Sequence, residues 1–362
     1  MESVESALCG LLSVICNKGV KMKKFVVAVV GATGAVGEEL FKILEEREFP
    51  ISKLVPLASA RSVGREVEFC GQSYKVQELI HDVFEKENIE IAFFSAGGSV
   101  SAEFAPSAAK AGAVVIDNTS HFRMQEDVPL VVPEVNPQDI ALWEKTGIIA
   151  NPNCSTIQMV QVLAPLHHFF GIERVDVSTY QAVSGAGKKG MEELVLQMQK
   201  FFDFSLDSVE PKAFPHRIAL NLIPQIDVFL DNDYTKEEMK MVNETNKIMH
   251  SDFEVSATCV RVPILRSHSE AITIKFKQEI TKEAAQDVLR SAEGVVLVDN
   301  PANKEYPMPL IATDTDETFV GRIRVDNFDS RILHLFCVAD QVRVGAATNA
   351  VRIAEKWADM QK

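Results

Sequence analysis

The chain has 362 residues, of which 46% are hydrophobic and 24% are charged, values typical of a soluble globular protein with two domains. The formal net charge is −14. This acidic excess argues against nucleic acid as a partner, because phosphates need a basic surface to neutralise them. A small anionic substrate is still compatible with the charge if a few arginine and lysine side chains cluster at one site.

The cysteines and the N-terminus indicate the compartment. The six cysteines show no metal-binding spacing, and a chain of this size needs no disulfides, so we expect no metal site and a reducing cytoplasm. The apolar run Leu8 to Cys16 is short and follows acidic residues, so we predict neither a signal peptide nor a membrane span. Residues 1–21, before Met22, are expected to be a dispensable extension.

Residues 22–150 alternate buried strands with helices, the pattern of a doubly wound parallel sheet. The first predicted strand, 25–30, is followed at once by Gly-Ala-Thr-Gly-Ala-Val-Gly and then by a helix. Glycines in this position, here Gly31 and Gly34, let the backbone approach a pyrophosphate at the N-terminus of the helix. We therefore predict a Rossmann-like dinucleotide site, and we expect the cofactor to pass close to the backbone at Gly97 as well.

The end of the second predicted strand favours NADP over NAD. An NAD site usually carries an acidic residue there for the ribose 2′-hydroxyl. This chain instead places Arg61 between Ser59 and Ser62, a combination that suits a 2′-phosphate. A solvated loop arginine is the alternative interpretation.

Two further segments can approach an anion. Arg123 follows the predicted strand 113–117, at the sheet edge where ligands bind in folds of this kind, although a surface arginine fits equally. The loop Ser184 to Gly190 resembles a P-loop only superficially, because the first glycine and the final hydroxyl residue are missing. We predict no ATP site there, and we expect Gly185 to let the loop pass close to a ligand.

Cys154 is the candidate nucleophile, at the start of a second domain that we place at residues 151–340. It follows a short apolar strand and precedes a helix with one apolar face. Asn153 suits the N-cap, so Cys154 is predicted to lie in the first helical turn. Backbone N–H groups there are expected to lower the pKa of the thiol and to hold an oxyanion. A small buried hydrophobic residue is the alternative.

The second domain is predicted to be α+β, with a mixed and largely antiparallel sheet. Its predicted strands are 174–183, 259–277, 295–298, 319–325 and 331–338. In the second of these, Pro263 is expected to mark a bend or an edge. His268 lies just before the regular alternation of this segment, where a structural histidine and a catalytic one are both possible. Residues 341–362 form a final helix, rich in small residues, that we expect to pack back onto the nucleotide domain.

A helix over 236–249 is predicted from the capping box that Thr235 and Glu238 form. Its apolar face is expected to carry Met239, Val242 and Met249. A stripe of alternating charge is expected to face solvent, with one lysine available to an anion; it consists of Glu237, Lys240, Glu244 and Lys247.

Three segments together resemble the aspartate-semialdehyde dehydrogenase family, with similarity from Met22 to the last helix. They are Gly-Ala-Thr-Gly-Ala-Val-Gly at 31–37, Asn-Pro-Asn-Cys-Ser-Thr at 151–156 and Arg-Val-Pro-Ile-Leu-Arg-Ser-His-Ser-Glu at 261–270. The resemblance implies NADPH-dependent reduction of L-aspartyl 4-phosphate to L-aspartate 4-semialdehyde with release of phosphate. This step leads to lysine or diaminopimelate, threonine, methionine and isoleucine. The family also forms homodimers, sometimes paired into tetramers, through the second domain.

The resemblance also implies residue roles. Cys154 would form a thioester that Gln181 orients, and His268 would be the general acid and base. The substrate positions, besides Gln181, are Arg123 and Lys240 for the phosphate, Arg261 for the carboxylate, Glu237 for the ammonium group, and Asn153. The cofactor positions that the resemblance adds to the glycine turn are Thr33, Ala35, Val36, Arg61, Ser62, Ser184, Gly185 and Gln341. Glu244 and Lys247 are left as solvated members of the charge stripe.

The sequence has three rival interpretations. N-acetyl-glutamyl-phosphate reductase has the same chemistry, but it usually shows Gly-Cys-Tyr at the nucleophile and an aromatic residue in the glycine turn, where this chain has Ser155 and Ala35. Glyceraldehyde-3-phosphate dehydrogenase shows Ser-Cys-Thr-Thr-Asn, which this chain lacks. A non-catalytic nucleotide-binding protein with the same fold is the other possibility, and it should lack the cysteine.

Overall fold

The computed structural model describes residues 23–361, so the predicted extension 1–21 lies outside the described residues. The described chain forms two six-stranded sheets and one two-stranded sheet. The first large sheet is parallel and the second is mixed, which confirms the predicted α/β class. Within residues 23–361, no helix is long and apolar enough to cross a bilayer.

The first half contains the parallel sheet and the helices that cover it. Its strands are β1 (Phe25–Val30), β2 (Ile51–Ala58), β3 (Glu66–Phe69), β4 (Gln72–Lys75), β5 (Gln77–Glu78), β6 (Ile91–Phe94), β7 (Val114–Asp117) and β8 (Ile148–Ala150), and its helices are α1 (Ala35–Glu46), α2 (Val83–Lys86) and α3 (Gly98–Lys110). The strand order is β5-β2-β1-β6-β7-β8, and β3 pairs with β4 in the small separate sheet.

The order of this sheet reverses beside β1, between the ends of β1 and β6. Ligands of doubly wound sheets bind at such a switch point. Gly31, directly after β1, has a φ of +91°, and a Cβ there would lie 2.9 Å from the Ser95 Oγ that follows β6. A Cβ at Gly37 would collide with the carbonyl oxygen of Gly31, so this glycine lets α1 start close to the sheet edge. The Rossmann-like turn is as predicted.

The second half contains the mixed sheet, one long helix at its start and one at its end. Its strands are β9 (Ile172–Gln181), β10 (Glu254–Arg261), β11 (His268–Phe276), β12 (Val295–Leu297), β13 (Thr318–Val325) and β14 (Ile332–Ala339), and its helices are α4 (Cys154–Phe170), α5 (Gly187–Phe202), α6 (Lys236–Met249), α7 (Lys282–Arg290), α8 (Pro309–Ala312) and α9 (Thr348–Met360). The order is β10-β9-β11-β14-β13-β12. Pairs β9–β11, β11–β14 and β13–β14 are antiparallel.

The predicted strand-like segment 259–277 forms two strands, with the bend expected at Pro263 between them. Residues 262–267 separate β10 from β11, and the two strands lie on opposite sides of β9. Pro263 lies in this connection, where it cannot interrupt a ladder of hydrogen bonds. The chain reversal brings Arg261, the last residue of β10, and His268, the first residue of β11, to the same edge of the sheet.

Helix α4 packs between the two sheets. Ile157 and Val160 belong to a core cluster with the first sheet, whereas Met159 and Val162 belong to the core of the second sheet. Helix α9 packs against the first sheet, where the ring of Trp357 lies 5.8 Å from that of Phe25. The N-terminus of α4 therefore lies at the junction of the two halves.

Candidate active site

A cavity of about 420 Å³ lies at this junction, and Cys154 lines it. The thiol residue is half-buried, so it is open to the cavity. The cavity brings together residues that the sequence analysis assigned to the cofactor and to the substrate. The predicted residues that line it are Ala35, Val36, Gly97, Arg123, Asn153, Cys154, Gln181, Ser184, Gly185, Glu237, Lys240 and Gln341.

The local structure of the nucleophile is as predicted. Helix α4 begins at Cys154, and the Oδ1 of Asn153 accepts hydrogen bonds from the backbone N–H groups of Ser155 and Thr156 at 3.0 and 3.3 Å. Gly345 is a contact that the sequence analysis missed. A Cβ at this position would lie 2.6 Å from the Cβ of Cys154, so only glycine lets the backbone before α9 pass the nucleophile. The run of small residues around Gly345 is the feature of the sequence that could have indicated this close contact.

The predicted lowering of the Cys154 pKa is wrong. Burial raises the pKa of the thiol to about 12, and the charge of Glu237 acts in the same direction. Arg123, Arg261 and the backbone N–H of Ser155 oppose this shift. The N-terminus of the helix does favour the anion, but the loss of water around the sulfur outweighs it.

His268 is fully buried behind the cavity wall. Its Nδ1 accepts the backbone N–H of Ala182 at 3.0 Å, so the neutral ring carries its proton on Nε2. Nε2 has no hydrogen-bond partner among residues 23–361 and lies 3.5 Å from the position of a Cβ on Gly185, which lines the cavity. Burial, together with the charge of Arg261, holds the pKa of the imidazole well below its usual value.

Arg261 lies beside His268 and does not itself line the cavity. Its Nη1 donates to the carbonyl oxygen of Ala182 at 2.7 Å, and a Cβ on Gly185 would lie 3.0 Å from that nitrogen. Any side chain at Gly185 would therefore occupy the space between the cavity and these two side chains. The expectation that this loop needs glycine for close approach agrees with the geometry.

Glu237 and Lys240 form the charged wall of the cavity. Lys240 Nζ donates to Glu237 Oε2 at 2.9 Å and to Asp227 Oδ2 at 3.0 Å. Asn153 Nδ2 and Gln181 Nε2 lie 2.9 and 3.4 Å from Glu237 Oε1. Burial acts to raise the pKa of Glu237, but Lys240 and Asn153 more than offset it and the pKa is lowered. The site thus holds a fixed carboxylate and a fixed ammonium group side by side.

The capping box of helix α6 is confirmed, and Met249 packs against two core clusters as predicted, but the rest of the predicted orientation is wrong. The buried face carries Glu237, Glu238, Met241, Glu244, Thr245 and Ile248, whereas Met239, Val242 and Met249 are only partly buried. Carboxylates can be buried here because each one has buried donors as partners. Glu244 and Lys247, which were expected to face solvent, both contact the loop that carries Arg123.

A second cavity, of about 610 Å³, lies at the switch point of the first sheet. The predicted cofactor residues that line it are Gly31, Thr33, Gly34, Ser59, Arg61 and Ser62. Ser95 lines both cavities, which makes them neighbours. Near the Cys154 cavity, the Oε1 of Gln341 accepts the backbone N–H of Ser267 at 2.7 Å, and its Nε2 contacts the Oγ of Ser184.

These two cavities fit a dinucleotide. The N-cap of α1, Gly34, has no side chain to cap the helix, so the first N–H groups of the helix can donate hydrogen bonds to a pyrophosphate. The Gly31 turn, which a Cβ would obstruct, lies at the same point. No cluster of metal-ligating side chains exists within residues 23–361.

Comparison with known families defines the class. Residues 26–143 match the semialdehyde dehydrogenase NAD binding domain, and residues 163–344 match the semialdehyde dehydrogenase dimerisation domain. Together these domains cover most of the chain. The protein is therefore an oxidoreductase of the semialdehyde dehydrogenase class, with a domain for a nicotinamide dinucleotide.

Individual relatives identify the family. The aspartate-semialdehyde dehydrogenase of Campylobacter jejuni is 67% identical over 94% of this chain and 99% of its own length. A structure of aspartate semialdehyde dehydrogenase II from Vibrio cholerae, complexed with ASA, has a TM-score of 0.90 at 48% identity and covers 93% of this chain and 99% of its own. The enzyme from Candida albicans, solved with NADP, has a TM-score of 0.72 at 27% identity, over 92% and 98% of the two chains. This chain belongs to the aspartate-semialdehyde dehydrogenase family of amino-acid biosynthesis.

Proposed function

We propose that the protein catalyses the NADPH-dependent reductive dephosphorylation of L-aspartyl 4-phosphate to L-aspartate 4-semialdehyde. The observation that carries this proposal is one cavity in which Cys154, at a helix N-terminus, meets two cations and a carboxylate. The product would serve the synthesis of lysine or diaminopimelate, threonine, methionine and isoleucine in the cytoplasm. We assign residues 22–150 to cofactor binding, 151–340 to catalysis and dimerisation, and 341–362 to packing on the cofactor domain.

The reaction begins at the Cys154 sulfur. Its thiolate attacks the acyl carbon, a C–S bond forms, and the C–O bond to phosphate breaks with its electron pair on the departing phosphate. When bound, the reduced nicotinamide would supply a hydride to the carbonyl carbon of the thioester. The C–S bond then breaks with its electron pair on sulfur, which releases the aldehyde and returns Cys154 to the thiolate. The thiol must lose its proton first. The substrate ammonium group, by neutralising Glu237, would remove one of the influences that raise the pKa of Cys154.

The substrate is held at both ends. We assign the phosphate to Arg123 and Lys240, because a leaving anion needs fixed cations nearby. The ammonium group of the substrate would bind the buried carboxylate of Glu237, and the α-carboxylate would bind the planar fork of Arg261. Gln181, which lines the cavity beside Glu237, and Asn153 would orient the acyl group.

His268 is assigned to the reacting oxygen. In the ring orientation present, Nε2–H can donate a hydrogen bond to the negative charge that develops on this oxygen. The predicted general acid–base role requires a further change. The ring must replace the hydrogen bond from Ala182 by a proton at Nδ1 before Nε2 can release or take up a proton.

The proposal is tested in the reverse direction. Purified protein, L-aspartate 4-semialdehyde, NADP and inorganic phosphate are mixed, and NADPH is followed by its absorbance. We expect reduction of NADP that depends on phosphate. The rival substrate, N-acetyl-glutamate semialdehyde, is expected to give no signal. Turnover with that aldehyde alone would favour the reductase alternative, and no turnover with either would support a non-catalytic protein.

The cofactor is assigned as NADP because of Arg61. This exposed arginine lines the second cavity between Ser59 and Ser62, at the end of β2. The Candida albicans relative was solved with NADP, which is consistent with this assignment.

The Arg61→Ala variant is expected to raise the KM for NADPH roughly 10- to 100-fold, the usual value of a hydrogen bond to a charged group. The KM for NADH should change little, because NADH lacks the 2′-phosphate. Steady-state kinetics with both cofactors provide the measurement. Arg65→Ala is the matched control, since Arg65 is exposed but does not line the cavity. A wild-type preference for NADH would contradict the assignment.

The homodimer is assigned to the face of the second sheet that points away from α4. Side chains alternate along a strand, so Tyr180 lies on the face opposite to Gln181. An apolar groove of about 820 Å³ runs over this face, and exposed side chains line it, among them Tyr180, Leu222 and Met308. Exposed apolar surface of this kind marks a protein interface. A tetramer would require a further contact between dimers.

Replacing Leu222 and Met308 together by aspartate is expected to convert the dimer into a monomer. Charged groups buried in an apolar interface have no partners, and their desolvation opposes association. Sedimentation velocity should give twice the mass of the chain for the wild type and the mass of one chain for the double variant. Phe169→Asp, at an exposed aromatic residue outside the groove, should leave the dimer intact. A dimeric double variant would place the interface elsewhere.

A further inference from the structure

Helix α6 contains a buried carboxylate, Glu244, that the proposed chemistry does not use. Only 1% of Glu244 is exposed. Burying an ionised carboxylate is costly unless the group is paired and hydrogen-bonded. The partners of Glu244 therefore indicate why a charge is present at this point of the helix.

The two oxygens of Glu244 connect two parts of the site. Oε1 accepts a hydrogen bond from Arg123 Nη1 at 3.1 Å, and Oε2 accepts the backbone N–H of Asn153 at 2.6 Å. Arg123 is the arginine that we assign to the phosphate, and Asn153 caps the helix that begins at Cys154. One carboxylate thus joins the phosphate-binding arginine to the residue that precedes the nucleophile.

The guanidinium of Arg123 is held on three sides. Nε donates to the carbonyl oxygen of Asn151 and Nη2 donates to that of Asn118, both at 2.9 Å, in addition to the bond from Nη1 to Glu244. A guanidinium has five N–H donors, so one remains on each terminal nitrogen. Arg123 lines the Cys154 cavity, and a planar guanidinium with free N–H groups matches the geometry of a phosphate.

The same helix face also holds the backbone of the arginine loop. One turn after Glu244, Lys247 Nζ donates to the carbonyl oxygens of Arg123, Gln125 and Val128 at 2.8, 2.7 and 2.8 Å. The lysine therefore fixes the main chain and the glutamate fixes the guanidinium. This arrangement explains why the stripe that looked solvated in sequence is the inner face of the helix.

We propose that Glu244 is a positioning residue that holds Arg123 in the orientation needed to bind phosphate next to Cys154. The proposal rests on the proposed function, because it takes phosphate as the leaving group. Glu244 itself does not touch substrate; it acts through Arg123. Its loss should therefore weaken phosphate binding and leave the other two reactants almost unaffected.

The test uses Glu244→Gln in the phosphate-dependent oxidation of L-aspartate 4-semialdehyde. The glutamine amide keeps the shape of the side chain but replaces one acceptor oxygen by an NH₂ group. This group would face one of the two N–H donors that Glu244 now binds, on Arg123 or Asn153. We expect the KM for inorganic phosphate to rise about tenfold or more, the usual effect of losing a hydrogen bond to a charged group, with KM for NADP and the aldehyde within about twofold. Glu244→Asp keeps the charge but has a shorter side chain. If the glutamine variant does not fold, the same three KM values are measured in the aspartate variant, with the same expected results.

Glu238→Gln is the matched control. Glu238 is also buried on α6 and accepts two backbone N–H groups, of Thr235 and Cys259, at 2.7 and 3.0 Å. Within the described part of the chain, the hydrogen bonds of Glu238 involve neither Arg123 nor Asn153. We expect a lower Tm in this variant and an unchanged KM for phosphate.

A double-variant comparison separates positioning from general stability. Phosphate binding stabilises the folded state, so the rise of Tm with phosphate measures affinity without turnover. In an Arg123→Gln background, Glu244→Gln should have no further effect on this rise. An unchanged KM for phosphate in both Glu244 variants, an equal rise in Glu238→Gln, or full additivity with Arg123→Gln would each overturn the positioning role. A wild-type protein that reduces NADP without phosphate would overturn the proposed function instead.

Discussion

The Cys154→Ala variant is expected to lose phosphate-dependent turnover by at least about 10⁴-fold, because a thioester requires sulfur and no other cysteine among the described residues lines the cavity. Initial rates of NADP reduction with aldehyde and phosphate give this number. Cys154→Ser is expected to be almost as inactive, since a serine hydroxyl is protonated at neutral pH and is a far weaker nucleophile than a thiolate. Turnover within tenfold of the wild type in either variant would contradict the covalent mechanism.

The loss must be separated from a loss of structure. Cys154 packs against Gly345, and alanine removes only the sulfur without adding bulk at this contact. NADP affinity and Tm should therefore match the wild type. A single-turnover experiment adds a positive signal: without NADPH, the wild type should release phosphate from L-aspartyl 4-phosphate in an amount stoichiometric with active sites. The two variants should show no such burst.

Local signals in the sequence were sufficient for the parts of the site that depend on a few adjacent residues. The Gly31 turn, the Asn153 cap and the capping box at Thr235 each form within one turn of chain, and all three are present. The glycine spacing and the alternation of strands and helices also predicted the first sheet. The roles of the individual site residues stay predictions until the variants are measured.

Properties that depend on the tertiary environment could not be predicted in this way. Helix position alone suggested a low pKa for Cys154, but the burial that raises this pKa results from packing between the two halves of the chain. The charge pattern of α6 suggested a solvated face, because its partners Arg123 and Asn153 lie far away in sequence. A stripe of charge can be a buried face when each member has a specific partner.

The His268→Ala variant is expected to lower kcat by roughly 10²- to 10⁴-fold, the usual value of a positioned acid or base and of a donor to a developing oxyanion. His268 is buried beside Gly185 and Arg261, so the effect should be on kcat more than on the KM for phosphate. Steady-state kinetics in both directions provide the measurement. A near-normal kcat would remove His268 from the mechanism.

His268→Gln distinguishes the two ways in which the ring can act. The amide can donate a hydrogen bond but cannot transfer a proton. If donation from Nε2–H is the main contribution, as the bond from Ala182 to Nδ1 indicates, the glutamine variant should recover about tenfold or more of the activity that alanine loses. The pH profile gives an independent check. Because the pKa of His268 lies well below its usual value, the ring stays neutral above that range, and no activity should be lost to its protonation near pH 6.5. Two results together would instead assign proton transfer to Nε2. The glutamine variant would be as slow as the alanine variant, and the wild type would show an acid limb near pH 6.5 that both variants lack.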